Sequence, residues 1–259
     1  LQTLVDAGID DILLVTGGRN SGDFLRLLAN GKEFGLKHLN YAYQEGEGGI
    51  ADALSLAEHF AEGQKVCVIL GDNIYYGHDL QKLLLSANGT TRGASVFAYH
   101  VQDPERYGVV EFDADRRAIS IEEKPKQPKS NYAVTGLYFY DEQVVDIAAS
   151  LQPSARGEYE ITDVNAEYLR RDALHMELLG RGFAWLDTGT YDSLLEAGSF
   201  VATLEKRQGL QVASPDEIAF TAGWISAAQL RANAEPMGKN PYGQYLLRLA
   251  DTGVPGRSV

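Results

Sequence analysis

Apolar residues fall in short blocks whose period changes along the chain. Leu1, Leu4 and Val5 share a helical face and predict a helix over 1–7, closed by Gly8. Residues 11–15 read as a strand, 23–29 as a helix, 36–43 as a strand and 49–60 as a helix with Ile50, Ala53, Leu54, Ala57 and Phe60 on one side. The run 66–70 is apolar without alternation, which predicts a central parallel strand covered on both faces. This order is the grammar of a parallel sheet. After Ala94 it changes, because 94–100, 108–112, 119–122 and 132–140 read as strands with no helix between them. An antiparallel or mixed part is expected there. Helices return at 141–149, 161–171 and 191–206, with strands at 176–179 and 183–186. Beyond Gln208 three polar helices are expected, at 215–220, 227–234 and 242–250. No repeat or long linker interrupts the pattern. The expectation is an α/β chain with a main domain over 1–207 and a C-terminal helical extension over 208–259 in the same compact unit.

Composition removes several function classes. The chain has 259 residues, 44% of them hydrophobic, which suffices for a large core. Its formal net charge of −13 argues against a non-specific nucleic-acid surface or an anionic membrane surface. Cys67 is the only cysteine and sits inside an apolar run, as a small buried hydrophobe in a reducing compartment would. The five histidines show no metal-ligand spacing. A cytoplasmic location is expected, without membrane attachment.

Candidate chemistry gathers where predicted strands end. Gly71-Asp72-Asn73 follows the run at 66–70, so Asp72 is presented at a sheet's carboxyl edge, where open α/β sheets collect ligands. A carboxylate there offers hard oxygen to a magnesium ion carrying phosphates, or simply caps a turn. Asp187, in Trp185-Leu-Asp-Thr-Gly-Thr190, repeats the pattern and could complete such a metal site; Thr190 reads as a helix cap in either case. Glu123 and Lys124 end a third β segment, stopped by Pro125, where one grips hydroxyls while the other neutralises a phosphate. A charged edge strand that resists aggregation is the competing reading. Gln44 begins a glycine-rich loop that matches neither dinucleotide nor Walker patterns, and its amide suits a pyrimidine edge. Tyr107-Gly108 could cover a sugar or merely pack.

Taken in order, LGDN, DPERYG, EEKP, TGLYFYD, EITDVN, WLDTGT and KNPYGQYL resemble the sugar-1-phosphate nucleotidylyltransferases, most closely the branch joining glucose 1-phosphate to dTTP. The resemblance runs from about Ala7 to Ala250. It implies a Rossmann-like doubly wound mixed sheet of the nucleotide-diphospho-sugar transferase type, with an antiparallel sugar-binding part. Gln44 and Gly49 match nucleotide-reading positions, and Asp72 and Asp187 match Mg²⁺ ligands. Tyr107, Gly108, Glu123, Val134 and Trp185 match the sugar pocket, while Lys124 and Arg156 match the groups that grip the sugar phosphate. Lys124, Arg156 and Asp72 would then be the catalytic set. The family also implies homotetramers with a second nucleotide site near subunit contacts. Two departures stand out. Asp52 occupies a place where many members have glutamine, and no G-G-x-G-T-R-L loop or K-Q-L-L-P segment occurs, Leu1 matching a helix after that region. On this reading the catalytic domain lacks its first strand and phosphate loop, so the 259 residues alone are expected to be inactive and poorly soluble. A UTP-using relative, or a silent sugar-nucleotide-binding regulatory subunit, are the alternatives.

Overall fold

The computed structural model describes residues 2–18, 21–32, 36–46 and 48–253. Leu1, at the predicted start of the first helix, and Glu47 of the glycine-rich loop lie outside the described residues. The chain divides into two compact units, one of residues 1–12, 22–40 and 190–259, the other of residues 13–21 and 41–189.

The first elements follow the predicted alternation: α1 (Gln2–Asp6), β1 (Asp11–Gly17), α2 (Ser21–Leu28) and β2 (His38–Gln44), with β1 and β2 paired. The single helix expected over 49–60 is instead two, α3 (Ile50–Ser55) and α4 (Glu58–Ala61). Ala57 leaves helical geometry at φ −88°, ψ 0° and so breaks the run between them. Next come β3 (Val66–Ile69), β4 (Asn73–Gly77), α5 (Leu80–Gly89), β5 (Ala94–His100), β6 (Gly108–Phe112), β7 (Ala118–Glu123) and β8 (Tyr132–Tyr140). After these lie α6 (Val144–Ser150), α7 (Ile161–Arg170), β9 (Leu174–Leu179), β10 (Phe183–Asp187) and α8 (Tyr191–Gln208). The tail contributes α9 (Pro215–Thr221), α10 (Ala227–Ala234) and α11 (Pro241–Thr252).

The main sheet runs β7-β6-β8-β5-β9, with β3 also on β8. It is mixed: β5 pairs with β9 in parallel, whereas β8 is antiparallel to β3, β5 and β6. The parallel, doubly covered setting expected for 66–70 is therefore corrected. β3 lies antiparallel to β8 and all four of its residues are only half-buried. An apolar run without alternation reports low polarity, and that is equally compatible with this pairing. β4 has no counterpart in the sequence reading, because Asn73–Gly77 looks like a turn leading to a helix. It pairs antiparallel with β10, setting Asn73 opposite Asp187.

The core of this unit packs Val96, Val110, Tyr138 and Tyr140 of the sheet against Val144 and Ile147 of α6 and Val164 and Tyr168 of α7. Each fully buried aliphatic side chain there is worth about 1.5–3 kcal/mol. Asp141, just past β8, is buried among them and accepts from Gly93 N–H (2.7 Å), Tyr168 O–H (2.7 Å) and both the main chain and the amide of Gln143 (3.1 Å each). Burial alone would raise its pKa, but the donors prevail, Tyr168 foremost, and hold it below the usual carboxylate range. A depressed carboxyl stabilises the fold above its unfolded pKa, and that stability is lost as pH falls through the folded value. Asp141→Asn is accordingly expected to cost about 1–3 kcal/mol at pH 7. The gap from wild type should narrow toward acid, as urea unfolding at pH 7 and near pH 3 would show. An equal gap at both would overturn this account.

In the other unit, α8 begins with a reciprocal Thr190/Ser193 capping box and ends at Gly209, whose φ of +69° lets the chain leave the helix. α9, α10 and α11 open on Ser214, Ser226 and Asn240 caps and close around Leu230, Leu246 and Leu249. No described helix is long and apolar enough to cross a membrane.

Candidate active site

Asp72 sits in the short turn between β3 and β4, tied down from both sides. Leu70 N–H donates to Gly136 of β8 (2.9 Å), and Asn73 N–H donates back to Leu70 (3.2 Å). Thr188, just past β10, donates its N–H (3.0 Å) and its hydroxyl (2.8 Å) to the Asp72 carbonyl. Because β4 and β10 are in register at Asn73 and Asp187, this clasp brings the two predicted carboxylates to one place. A Cβ on Gly189 would lie 3.1 Å from Asp187 Oδ1 and 3.7 Å from Asp72 Oδ2. A larger residue at 189 would fill the space between the two acids.

Asn73 is the residue that sequence reasoning missed. Its Oδ1 accepts from Trp185 Nε1 (2.6 Å) and Gly136 N–H (3.1 Å), while its Nδ2 donates to Asp72 Oδ1 (2.9 Å). One amide thus fixes the Asp72 carboxylate, the Trp185 ring and the middle of β8. The available signal was Trp185 itself, since a buried indole N–H needs an acceptor.

From Trp185 the site continues as a chain of contacts. The Tyr107 ring meets Trp185 edge-on at 5.1 Å, and the Arg106 guanidinium lies 5.3 Å from the centre of the Tyr107 ring. Burial raises the Tyr107 pKa, so it stays a neutral phenol. Gly108 stands opposite Glu123 across the β6–β7 ladder; a Cβ there would come within 2.9 Å of Thr162 Oγ1 and 3.4 Å of Glu123 Oε2. Glu123 accepts from Thr162 Oγ1 (2.5 Å) and from Arg156 (3.3 Å). Arg156 is held chiefly by Glu160, at 2.8 and 2.9 Å, with Glu158 at 3.5 Å. The Glu160 hydrogen bond, the largest cause, raises the Arg156 pKa further. Lys124 is exposed, with Nζ 3.9 Å from Glu123 Oε1, and its backbone takes a φ of +41°. Val134 is buried in the core, so its side chain serves packing.

The loop before α3 joins the same region through Tyr159, whose carbonyl accepts from Ala51 N–H (3.2 Å) and whose N–H donates to Gly48 (2.9 Å). A Cβ on Gly49, at φ +93°, would fall 2.5 Å from the Tyr159 carbonyl, so glycine is required there. Gln44 Nε2 donates to Gly49 O (2.9 Å) and to Asp52 Oδ2 (2.7 Å). The departure at Asp52 therefore has a structural role: it engages the Gln44 amide donor, leaving Oε1 to act as an acceptor.

These distances fit a magnesium site better than a protein-built metal cage. Two carboxylates converge, and no group of three or more metal-binding side chains occurs among the described residues. Mg²⁺ characteristically takes one or two carboxylates and fills its other positions with water and substrate phosphate.

A nucleotidyl transferase family model matches residues 1–203. The chain belongs to the nucleotidyl transferase family. It is similar to the glucose-1-phosphate thymidylyltransferase of Neisseria meningitidis serogroup A, with 52% identity over 96% of this chain and 86% of that one. A Bacillus anthracis protein assigned as a glucose-1-phosphate thymidylyltransferase, solved with sucrose, superposes with a TM-score of 0.72 at 40% identity over 83% of this chain and 82% of that one. A UDP-glucose pyrophosphorylase bound to UDP-glucose, at 23% identity and a TM-score of 0.67 over 80% of this chain and 85% of that one, shares the fold. The mixed sheet described above is thus the central sheet of an α/β nucleotidyl transferase.

Proposed function

We propose that this nucleotidyl transferase joins glucose 1-phosphate to dTTP, giving dTDP-glucose and pyrophosphate, on a Rossmann-like doubly wound frame. The observation that carries the reading is the meeting of Asp72 and Asp187 at Gly189, beside an aromatic and carboxylate pocket of Trp185, Tyr107 and Glu123. In the reaction a phosphate oxygen of the sugar phosphate attacks the α-phosphorus. The bond from that phosphorus to the bridging oxygen breaks, and pyrophosphate leaves with the electron pair. Asp72 and Asp187 would hold Mg²⁺, which when bound would supply positive charge at the α-phosphate. Everything else is positioning. Glu123 accepts sugar hydroxyls, its orientation set by Thr162 and Arg156, and Gly108 leaves room beside it. Trp185 and Tyr107 wall the pocket, while Lys124 and Arg156 neutralise the sugar phosphate. Gln44 offers Oε1 to the ring N–H of thymine, and Gly49 keeps the loop flat against the base.

The same reading includes a cytoplasmic homotetramer, for which the exposed Tyr191, Leu194 and Leu195 of α8 offer apolar surface. The test is pyrophosphate release from dTTP and, separately, UTP, with glucose 1-phosphate and Mg²⁺. The chain is assayed as it stands and joined to a G-G-x-G-T-R-L loop segment. Preference for dTTP is expected in the joined chain. No release with either nucleotide would overturn the proposal.

A further inference from the structure

On the unit that carries β5, β8 and β9, a cavity of about 780 Å³ is lined by Tyr99, His100, Tyr132 and Leu178 together with Arg116 and Arg181. That volume lies in the usual range for small-molecule sites, about 300–1,000 Å³. Its lining holds two arginines and a histidine and no acidic residue, in a chain whose net charge is −13. Among the described residues neither guanidinium has an ion-pair or side-chain hydrogen-bond partner. Two acids flank Arg116 in its turn, but neither makes an ion pair with its guanidinium: Asp113 Oδ1 accepts from the N–H groups of Asp115 and Arg117, at 2.9 Å each, and Asp115 adjoins Arg116 only through the chain. Arg116 also adopts a φ of +62°, a conformation that glycine or asparagine would take at less cost. An arginine held there presents its long side chain from the β6–β7 turn. Arg181 does the same from the turn between β9 and β10, closed by Phe183 N–H donating to Gly180 (3.0 Å). Three of the lining side chains are aromatic rings. Tyr99 O–H donates to the Phe183 carbonyl (3.1 Å), and His100 meets Tyr132 edge-on at 5.4 Å.

We propose that this cavity binds a phosphomonoester anion with a flat or apolar body. The phosphate would bridge the two guanidinium forks, each of which suits two phosphate oxygens. The body would rest against Tyr99, Tyr132 and Leu178. Its lining shares no residue with the proposed transfer site, although Tyr99 meets Trp185 edge-on at 6.0 Å, and the proposal does not depend on that reading.

Phenyl phosphate is the probe, titrated calorimetrically against the 259-residue chain, with inorganic phosphate in parallel. Phenyl phosphate is expected to bind more tightly than inorganic phosphate, since only it has a body to place on the aromatic rings. Arg116→Gln and Arg181→Gln should each weaken it roughly ten- to hundredfold, the loss typical of a charge-assisted hydrogen-bonded pair. Both arginines are exposed, so the variants should keep the wild-type melting temperature. Arg116→Lys should recover only part of the affinity, because it keeps the charge and loses the fork. Lys124→Ala should leave binding unchanged. Equal affinity in wild type and the double Gln variant would overturn the proposal, as would loss of binding in Lys124→Ala, which would put the ligand in the transfer site.

Discussion

Asp187→Ala, made in a chain competent for transfer, is expected to lower turnover by about 10³-fold or more, and Asp72→Ala by a similar factor. Each removes one of the two carboxylates that meet at Gly189, and the one that remains would hold and orient the metal less well. Asp187 also accepts from Gly189 N–H (3.1 Å), so alanine loosens the turn as well as the metal. Asp187→Asn separates the two effects, since its amide oxygen keeps that hydrogen bond while its charge is gone. The asparagine variant should melt like wild type and still fail in pyrophosphate release, and its Mg²⁺ requirement should move to higher concentration. Normal turnover in Asp187→Asn would remove the metal assignment.

Lys124→Ala should act on one substrate only. Its ammonium is exposed beside Glu123, and its loss should raise KM for glucose 1-phosphate roughly ten- to hundredfold, about 1.5–3 kcal/mol, with KM for the nucleotide little changed. Equal weakening of both substrates would contradict the separate roles. Arg156 differs, although the resemblance pairs it with Lys124. Glu160 is 8% exposed at its side chain and accepts three hydrogen bonds from Arg156, so Arg156→Ala leaves a buried carboxylate without its cation. That variant is therefore expected to lose stability as well as substrate affinity, and a melting curve distinguishes it from Lys124→Ala.

The positions of Asp72, Asp187 and Glu123 were legible because each follows an apolar strand, and strand ends are where such sheets place ligands. The pairing of Asp72 with Asp187 was offered by their repeated pattern, but the means of it was not legible. It depends on β4, a five-residue strand whose sequence, Asn-Ile-Tyr-Tyr-Gly, carries turn residues at both ends and gives no period long enough to reveal a partner 110 residues away. The direction of β3 was hidden for a related reason. Val-Cys-Val-Ile is apolar on both sides, and the strand it meets is fixed by β8, not by anything within the run. The break between α3 and α4 was equally invisible, because Leu56 and Ala57 are good helix formers locally and tertiary packing decides the matter. Val134 is buried in the core, so its place in the sugar pocket rests on the family match alone.

Lys124 takes a backbone conformation that a glycine would adopt without strain, at a position where only the lysine's charge serves the proposed reaction. Heat tolerance and catalysis then select for different residues at one codon. A library screened for survival at high temperature would be drawn toward glycine at 124, and each such survivor would have given up its hold on the sugar phosphate. Selection for thermal hardiness in this enzyme has to be run with glucose 1-phosphate limiting, or it will enrich well-folded chains that no longer recognise their acceptor.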